Sequence, residues 1–259
     1  ADYVIMETTY GDKVHNNFEN VMKELSNIVK ETFDRGGNVI IPSFAVGRTQ
    51  EVIYALNKYF EEGVVKGCCV YVDSPLAEKA TKIFENNREI FDDEAKELEK
   101  HDTNILDFEG LKFTHSPEES MELNKMQKGI VIISTSGMCD AGRIKHHLKH
   151  NLWRSESSIV FVGYQAEGTM GREILDGNKM VRIFGKDISV AASIYNLQSL
   201  SGHADRNGLI NWIENIEKKP KQVFLVHGDE NSQKSFKELL DLKGYKSVIV
   251  KSGEKHKLE

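Results

Sequence analysis

The chain has 259 residues, with 34 Lys and Arg against 40 Asp and Glu, and a formal net charge of −6. That length allows one large domain or two ordinary ones, and the acidic balance excludes a globally basic nucleic-acid coat, so any polyanion must meet a local patch. Hydrophobic residues at 39%, charged residues at 29% and no apolar run near the roughly eighteen residues of a membrane span predict a soluble globular protein with no membrane partner.

The cysteines, Cys68, Cys69 and Cys139, form neither a disulfide framework nor a Cys-x-x-Cys metal clip, which fits a reducing, cytoplasmic setting. No basic region followed by an apolar one opens the chain. Ala1-Asp2-Tyr3-Val4-Ile5-Met6 reads as a strand already under way, which predicts a fragment of a longer protein.

From Asn17 to Asp34 the apolar residues Phe18, Val21, Met22, Leu25, Ile28, Val29 and Phe33 keep a helical period that Gly36-Gly37 stops. Val39-Ile40-Ile41 is a short apolar run of the kind buried on both faces of a parallel sheet. A second helix starts near Arg48 and carries Val52, Ile53, Leu56, Tyr59 and Phe60, and Cys69 to Val72 is another buried strand. The rhythm continues with a charged helix from Ala77 to about Lys100 and strands at Leu111 to Thr114 and Gly129 to Ser134. A helix at Gly142 to Trp153 and a strand at Ser158 to Gly163 follow. This alternation predicts an α/β fold with a mainly parallel sheet and right-handed crossovers. The stretch from about Lys179 to Tyr195, broken by Gly185-Lys186-Asp187, reads as an antiparallel hairpin. Asp205 to Glu259 reads helix, strand, helix, strand.

Ligands of α/β sheets gather beyond the carboxyl ends of the strands, and three such loops are rich in small residues and run toward an Arg. They are Pro42 to Glu51 with Arg48, Ser134 to Arg143 with Ser136 and Gly137, and Gly163 to Arg172 with Gly168 and Thr169. Exposed backbone N–H groups, helix N-termini and guanidinium forks suit phosphate. For any one of these loops, tight turns and solvated arginines are the better explanation; three together favour a ligand. No Walker A or Gly-x-Gly-x-x-Gly pattern occurs. Arg143, Lys145, Lys149 and Arg154 with His146, His147 and His150 form a basic stripe, which reads either as an RNA-facing patch or as the wet side of a helix built on Ile144, Leu148 and Leu152. His146 and His150 lack a third metal ligand.

Two histidines stand apart. His203 lies in Ser201-Gly202-His203-Ala204-Asp205 ahead of a helix, and His227 ends the buried run Val223-Phe224-Leu225-Val226. For His203 alone, a packed interior imidazole and a functional one are equally compatible with the sequence. Glu7, at the end of the first strand, is placed to orient an imidazole.

Glu7 in Glu-Thr-Thr-Tyr-Gly-Asp, His203 in Ser-Gly-His-Ala-Asp and His227 in Val-His-Gly-Asp occur in the order of motifs A, B and C of the β-CASP branch of the metallo-β-lactamase-fold nucleases, and the chain resembles that family over essentially its whole length. Ile41 to Glu51 and Ser136-Gly137-Met138 are most similar to the RNA-processing members, and His at motif C implies RNA rather than DNA. The family's His-x-His-x-Asp-His motif is absent, so the resemblance implies three parts. These are the end of the first portion of a metallo-β-lactamase domain (1–14), a β-CASP domain (15–196) and a C-terminal return into the αββα metallo-β-lactamase domain (197–259).

For the complete enzyme the resemblance implies RNA phosphodiester hydrolysis with two zinc ions. His227 would be a zinc ligand, His203 a general acid and Glu7 its orienting carboxylate. Arg48, Ser134, Ser136, Gly137, Arg143, Gly168, Thr169, Ser201 and Gly202 would bind RNA between the two lobes. The fragment itself is expected to be inactive, short of zinc ligands and without zinc or weakly loaded. The alternatives are a non-catalytic RNA-binding or assembly module and, less favoured, a small-molecule phosphate enzyme. Monomer and homodimer both stay open.

Overall fold

The computed structural model describes residues 1–61, 68–99, 104–197 and 200–258, and the side chains of Phe18, Tyr59, Phe60, Glu61 and Glu94 also lie outside the described set. Two compact units divide the chain: Ala1–His15 with Gly202–Glu259, and Asn16–Ser201 between them.

The first unit opens with β1 (Tyr3–Glu7). In the second unit, α1 (Phe18–Asp34) starts where the Asn17 side chain accepts from the Glu19 N–H at 2.9 Å. It buries Val21, Met22, Leu25, Ile28 and Val29, one stripe at helical spacing. It ends at Gly36 with φ +78°, and the Gly36 and Gly37 N–H groups return to the Phe33 and Thr32 carbonyls. Gly37 also passes so close to the Glu156 carbonyl that a Cβ would sit 1.9 Å from its oxygen. Then follow β2 (Val39–Pro42), α2 (Arg48–Glu61), β3 (Cys69–Asp73) and α3 (Pro75–Glu85). Next come α4 (Asp93–Glu99), β4 (Leu111–Phe113), α5 (Pro117–Leu123) and β5 (Ile130–Ser134). The unit closes with α6 (Ile144–Asn151), β6 (Ser158–Phe161), α7 (Met170–Leu175), β7 (Met180–Ile183), β8 (Lys186–Ser189) and β9 (Ser193–Asn196).

Six of these strands form one parallel sheet in the order β4-β3-β5-β2-β6-β9. Both faces are covered, and the pleat divides the apolar runs between two cores. Val39, Ile41, Val131 and Ile133 pack with α1 and α2 through Val52, Ile53 and Leu56, whereas Ile40, Ile130, Ile132, Ile159 and Phe161 pack with α6 and α7 through Ile144, Leu148 and Ile174. The chain therefore leaves β2 toward one face and the adjacent β5 toward the other. Their carboxyl ends flank a topological switch point, where open α/β sheets form a ligand crevice.

Two expectations are corrected. The helix expected from Ala77 to about Lys100 is three pieces: α3, a single 3-10 turn at Arg88–Ile90, and α4. Asn86 closes α3, Phe91 is extended, and the Asp92 carboxylate accepts from the Ala95 N–H at 2.8 Å to start a new helix, so polar side chains that compete for backbone bonds split the run; Lys100 lies outside the described residues. The stretch reaching Tyr195 is not all antiparallel. β7 and β8 form the hairpin, but β9 joins β6 in parallel as the sheet's edge. An unexpected helix, α5, begins at Ser116, whose hydroxyl accepts from the Glu119 N–H ahead of Pro117.

The rest of the first unit is α8 (Arg206–Glu214), β10 (Gln222–Val226), α9 (Glu230–Leu242) and β11 (Ser247–Ile249). β1, β10 and β11 lie side by side, all parallel. Val4, Met6, Val223 and Leu225 pack on Leu209, Ile210, Ile213, Phe236 and Leu240. Among the described residues, no helix is long and apolar enough to cross a membrane.

Candidate active site and a second carboxylate network

In the first unit, parallel pairing of β1 with β10 sets Glu7 opposite Val226, so Glu7 and His227 leave adjacent strands at the same end. The next two residues lock that end. The Thr8 N–H donates to the His227 carbonyl at 3.2 Å and the Thr8 hydroxyl to the Val226 carbonyl at 3.0 Å. Gly228 passes so close that a Cβ would lie 2.5 Å from Thr8 Oγ1 and 2.7 Å from its carbonyl oxygen. His227 takes a left-handed backbone, φ +50°, which turns its ring out of the strand. The His203 loop is fixed from the other side. Tyr10 bridges to Asp205, and the Asp205 carboxylate accepts from the Gly208 and His15 N–H groups at 2.7 and 2.9 Å.

The three side chains converge. Glu7 Oε2 lies 2.9 Å from His203 Nδ1, the His203 and His227 rings are 5.1 Å apart, and one ligand atom from each residue lies within 4.8 Å of the others. Thr9 ties them together: its N–H donates to Glu7 Oε2 at 3.2 Å, and its hydroxyl is 3.0 Å from His227 Nδ1 and donates to the His227 carbonyl at 3.1 Å. A hydroxyl has one proton, so the Thr9 oxygen accepts from His227 Nδ1–H, which leaves the His227 Nε2 lone pair for a ligand. Burial pushes the Glu7 carboxyl up, but hydrogen bonds from Thr9 and His203 outweigh it and hold Glu7 below the ordinary glutamate value. An ionised Glu7 accepts from His203 Nδ1–H. The pair is only partly covered, with side chains 28% and 38% exposed.

Zinc asks for three or more protein ligands. Glu7, His203 and His227 each bring one ligand atom to the cluster, Glu7 and His203 are also bonded to each other, and a closed four-coordinate zinc site needs donors beyond these three residues.

In the second unit, the loops after β2, β5 and β6 meet at the switch point. A Cβ on Gly137 would press 2.9 Å from the Phe44 ring, one on Gly163 would lie 3.8 Å from it, and Gln165 Nε2 donates to the Gly137 carbonyl at 2.8 Å. Ser136 Oγ, in this cluster, has no hydrogen-bond partner among the described residues. Arg48 is nearly buried and paired with Glu51. Gly168, with φ +81°, turns the loop in open space.

Two of the side chains expected to bind RNA are engaged within the protein. Ser134 is buried and its hydroxyl donates to the Asp73 carbonyl at 3.0 Å, so no side-chain atom of it remains for a ligand. The Thr169 hydroxyl caps α7 by accepting from the Arg172 N–H at 3.3 Å while donating to the Ala166 carbonyl at 2.7 Å, which commits it to the turn. Ser201 is half-buried and Gly202 exposed, at the border of the two units.

The basic stripe is not a free face either. His147 is fully buried, with Nε2 2.6 Å from Asp73 Oδ2 and Nδ1 3.0 Å from Asn124 Oδ1. Arg143 Nη1 donates to Asp73 Oδ1 at 2.7 Å and to Thr114 Oγ1 at 3.3 Å. Lys145 donates to the Asp140 carbonyl and lies over the Phe184 ring, and Arg154 is bonded to the Gln127 carbonyl. Asp73 also accepts from Ser120 at 2.6 Å and from Thr114. Burial pushes this carboxyl up, yet the hydrogen bonds from His147, Ser120 and Thr114 prevail and hold it well below the ordinary aspartate value.

Thr9 and Asp73 carry these arrangements and were not singled out in the sequence, and His147 was read only as part of the basic stripe. Asp73 had a signal, a lone carboxylate ending the buried strand Cys69-Val70-Tyr71-Val72. For Thr9 the only signal was its place two residues after Glu7.

Residues 49–174 match the Beta-Casp domain and residues 187–250 the Zn-dependent metallo-hydrolase RNA specificity domain. Ribonuclease TTHA0252 of Thermus thermophilus is 35% identical over 254 residues, 98% of this chain and 58% of that protein. Transcription termination factor FttA of Methanocaldococcus jannaschii is 36% identical over 236 residues, 88% of this chain and 37% of the relative. An RNase J-like protein of the same organism is 31% identical over 237 residues, 91% of this chain and 54% of the relative. The chain thus spans less than two thirds of the length of each. With both domains matched in order over an α/β fold built on a six-stranded parallel sheet, the chain belongs to the β-CASP family of metallo-β-lactamase RNA nucleases.

Proposed function

We propose that this chain is part of a zinc-dependent ribonuclease that hydrolyses RNA phosphodiester bonds. Residues 1–14 and 197–259 are read as the metallo-β-lactamase portions, and 15–196 as the β-CASP domain that holds RNA. The observation that carries the reading is the convergence of Glu7, His203 and His227 within 4.8 Å at the carboxyl ends of β1 and β10.

Zinc, when bound, would supply Lewis-acid stabilisation of charge on the phosphate and a water of lowered pKa. His227 Nε2, freed by the bond from Nδ1 to Thr9, is the atom this chain gives to the metal. His203, its Nδ1 fastened to Glu7, presents Nε2 to the departing ribose oxygen and gives up the proton it holds there. Such general acid catalysis contributes about a hundred- to ten-thousandfold. Arg48, Ser136, Gly137 and Arg143 at the switch point of the second unit hold RNA phosphates, and the exposed Phe44 ring beside Gly137 offers a surface on which a base can stack.

A non-catalytic RNA-binding module is the second reading, favoured by the cluster's shortfall of donors for a closed zinc site. Hydrolysis of a labelled single-stranded RNA separates the two. The full-length protein is expected to cut it, to lose that activity on chelation and to regain it with zinc, while the 259-residue chain alone is expected to cut little. Metal-independent behaviour of the full-length protein, binding RNA without cutting it, supports the module; robust chelator-sensitive cutting by the isolated chain overturns the ligand count.

A further inference from the structure

Arg143 is held, not loose, and what holds it is the only strand-end carboxylate of the six-stranded sheet, Asp73. Both Asp73 oxygens are occupied. Oδ1 receives Arg143 Nη1 and Thr114, and Oδ2 receives His147 and Ser120. Arg143 and His147 lie four residues apart, one turn of helix at the start of α6, so the carboxylate bridges two side chains of the same helical face. The order β3-β5 places Asp73 beside Ser134, the residue from which the Ser136-Gly137 loop departs. Asp73 and His147 are fully buried, whereas Arg143 keeps 23% of its side chain exposed. Its hydrogen bonds both use Nη1, and the remaining N–H groups of the guanidinium plane have no bond among the described residues. A guanidinium clamped on one edge and open on the other is preorganised for bidentate contact with an anion, since the rotamer entropy of a long side chain is already spent.

We infer that Asp73 is a positioning residue for RNA binding: with Thr114 it fixes Arg143 so that the open guanidinium edge meets an RNA phosphate. This rests on the proposed reading that Arg143 contacts RNA.

The test is equilibrium binding of single-stranded RNA oligomers to the full-length protein in chelator, across a range of salt. Arg143→Gln is expected to weaken binding by about three- to tenfold and to lower the salt slope by about 0.7, the share of one phosphate contact. Asp73→Asn should weaken it in the same direction, and in the double variant the two effects should fall well short of their sum. Because Asp73→Asn removes a buried charge and can impair folding, Thr114→Val and Ser120→Ala supply the internal control. Each deletes one hydroxyl from the same carboxylate, but only Thr114 also touches Arg143. The inference predicts that Thr114→Val weakens RNA binding about twofold or more at matched thermal stability while Ser120→Ala leaves it unchanged. Equal effects of the two hydroxyl variants, or a folded Asp73→Asn protein with wild-type affinity and slope, would overturn the positioning role. An unchanged Arg143→Gln protein would instead overturn the reading that Arg143 meets RNA.

Discussion

The two units each contain a carboxylate bonded to an imidazole at the carboxyl end of a parallel strand, and the pairs look alike on paper. Glu7 and His203 are 2.9 Å apart, and Asp73 and His147 are 2.6 Å apart. Exposure separates them. Glu7 and His203 are about a third open to solvent, whereas Asp73 and His147 have no exposure, and every carboxylate oxygen and ring nitrogen of that second pair faces a partner. A half-open pair can exchange a proton with a substrate. A sealed one can only hold its neighbours in place, and the dry surroundings make each missing partner costly.

The largest expected effect is on the sealed pair. Asp73→Ala strands His147 and Arg143 beside a buried void, and stability should fall by about 3–5 kcal/mol in chemical denaturation. A loss below about 1 kcal/mol would mean that the network is as dispensable as a surface pair. The same network makes an acid-side prediction. Because the folded Asp73 carboxyl is held below its unfolded value, its stabilisation is full above a pH of about 4 and is lost as pH falls toward the folded value. The stability gap between wild type and Asp73→Asn should therefore be constant near neutrality and close below about pH 4; a gap that widens in acid contradicts the ionised carboxylate.

The open pair should behave in the opposite way. Glu7→Gln removes the acceptor that sets the His203 ring and should slow RNA cleavage by the full-length protein about ten- to a hundredfold, the usual cost of losing an orienting partner, with little change in melting temperature. A variant that melts much earlier but cuts normally would move this pair into the structural class. The smallest effect belongs to pairs outside both sites. Lys234 with Glu230 on α9 is an exposed i,i+4 couple, and Lys234→Ala should cost at most about 0.5 kcal/mol.

What was legible in the sequence follows the same division. The parallel sheet was readable because its strands, such as Ile130 to Ile133, are apolar on both faces. Glu7, His203 and His227 were readable because each ends or follows a recognisable element in motifs with few alternatives. The break at Asn86 to Asp92 was hidden because charged helical residues carry a strong period whether or not polar caps interrupt them. β9 was hidden because Ser193 to Asn196 is a short, half-buried edge strand with little apolar signal. The Asp73 network was hidden for another reason. Asp73, Thr114, Ser120 and His147 are scattered over four elements, and only the sheet order β4-β3-β5 with α5 and α6 packed beside it brings them together. Arg143 and Ser134 were found, but what their polar atoms bond to depends on that assembly.

The central claim, that the open cluster divides proton delivery from metal holding, is tested most directly by comparing His203→Ala and His227→Ala in the full-length protein, with zinc content and RNA cleavage measured on the same samples. The account predicts that His203→Ala keeps its zinc and cuts about a hundred- to ten-thousandfold more slowly, while His227→Ala loses zinc together with activity. Unchanged cleavage by His203→Ala, or full zinc content in His227→Ala, would contradict it.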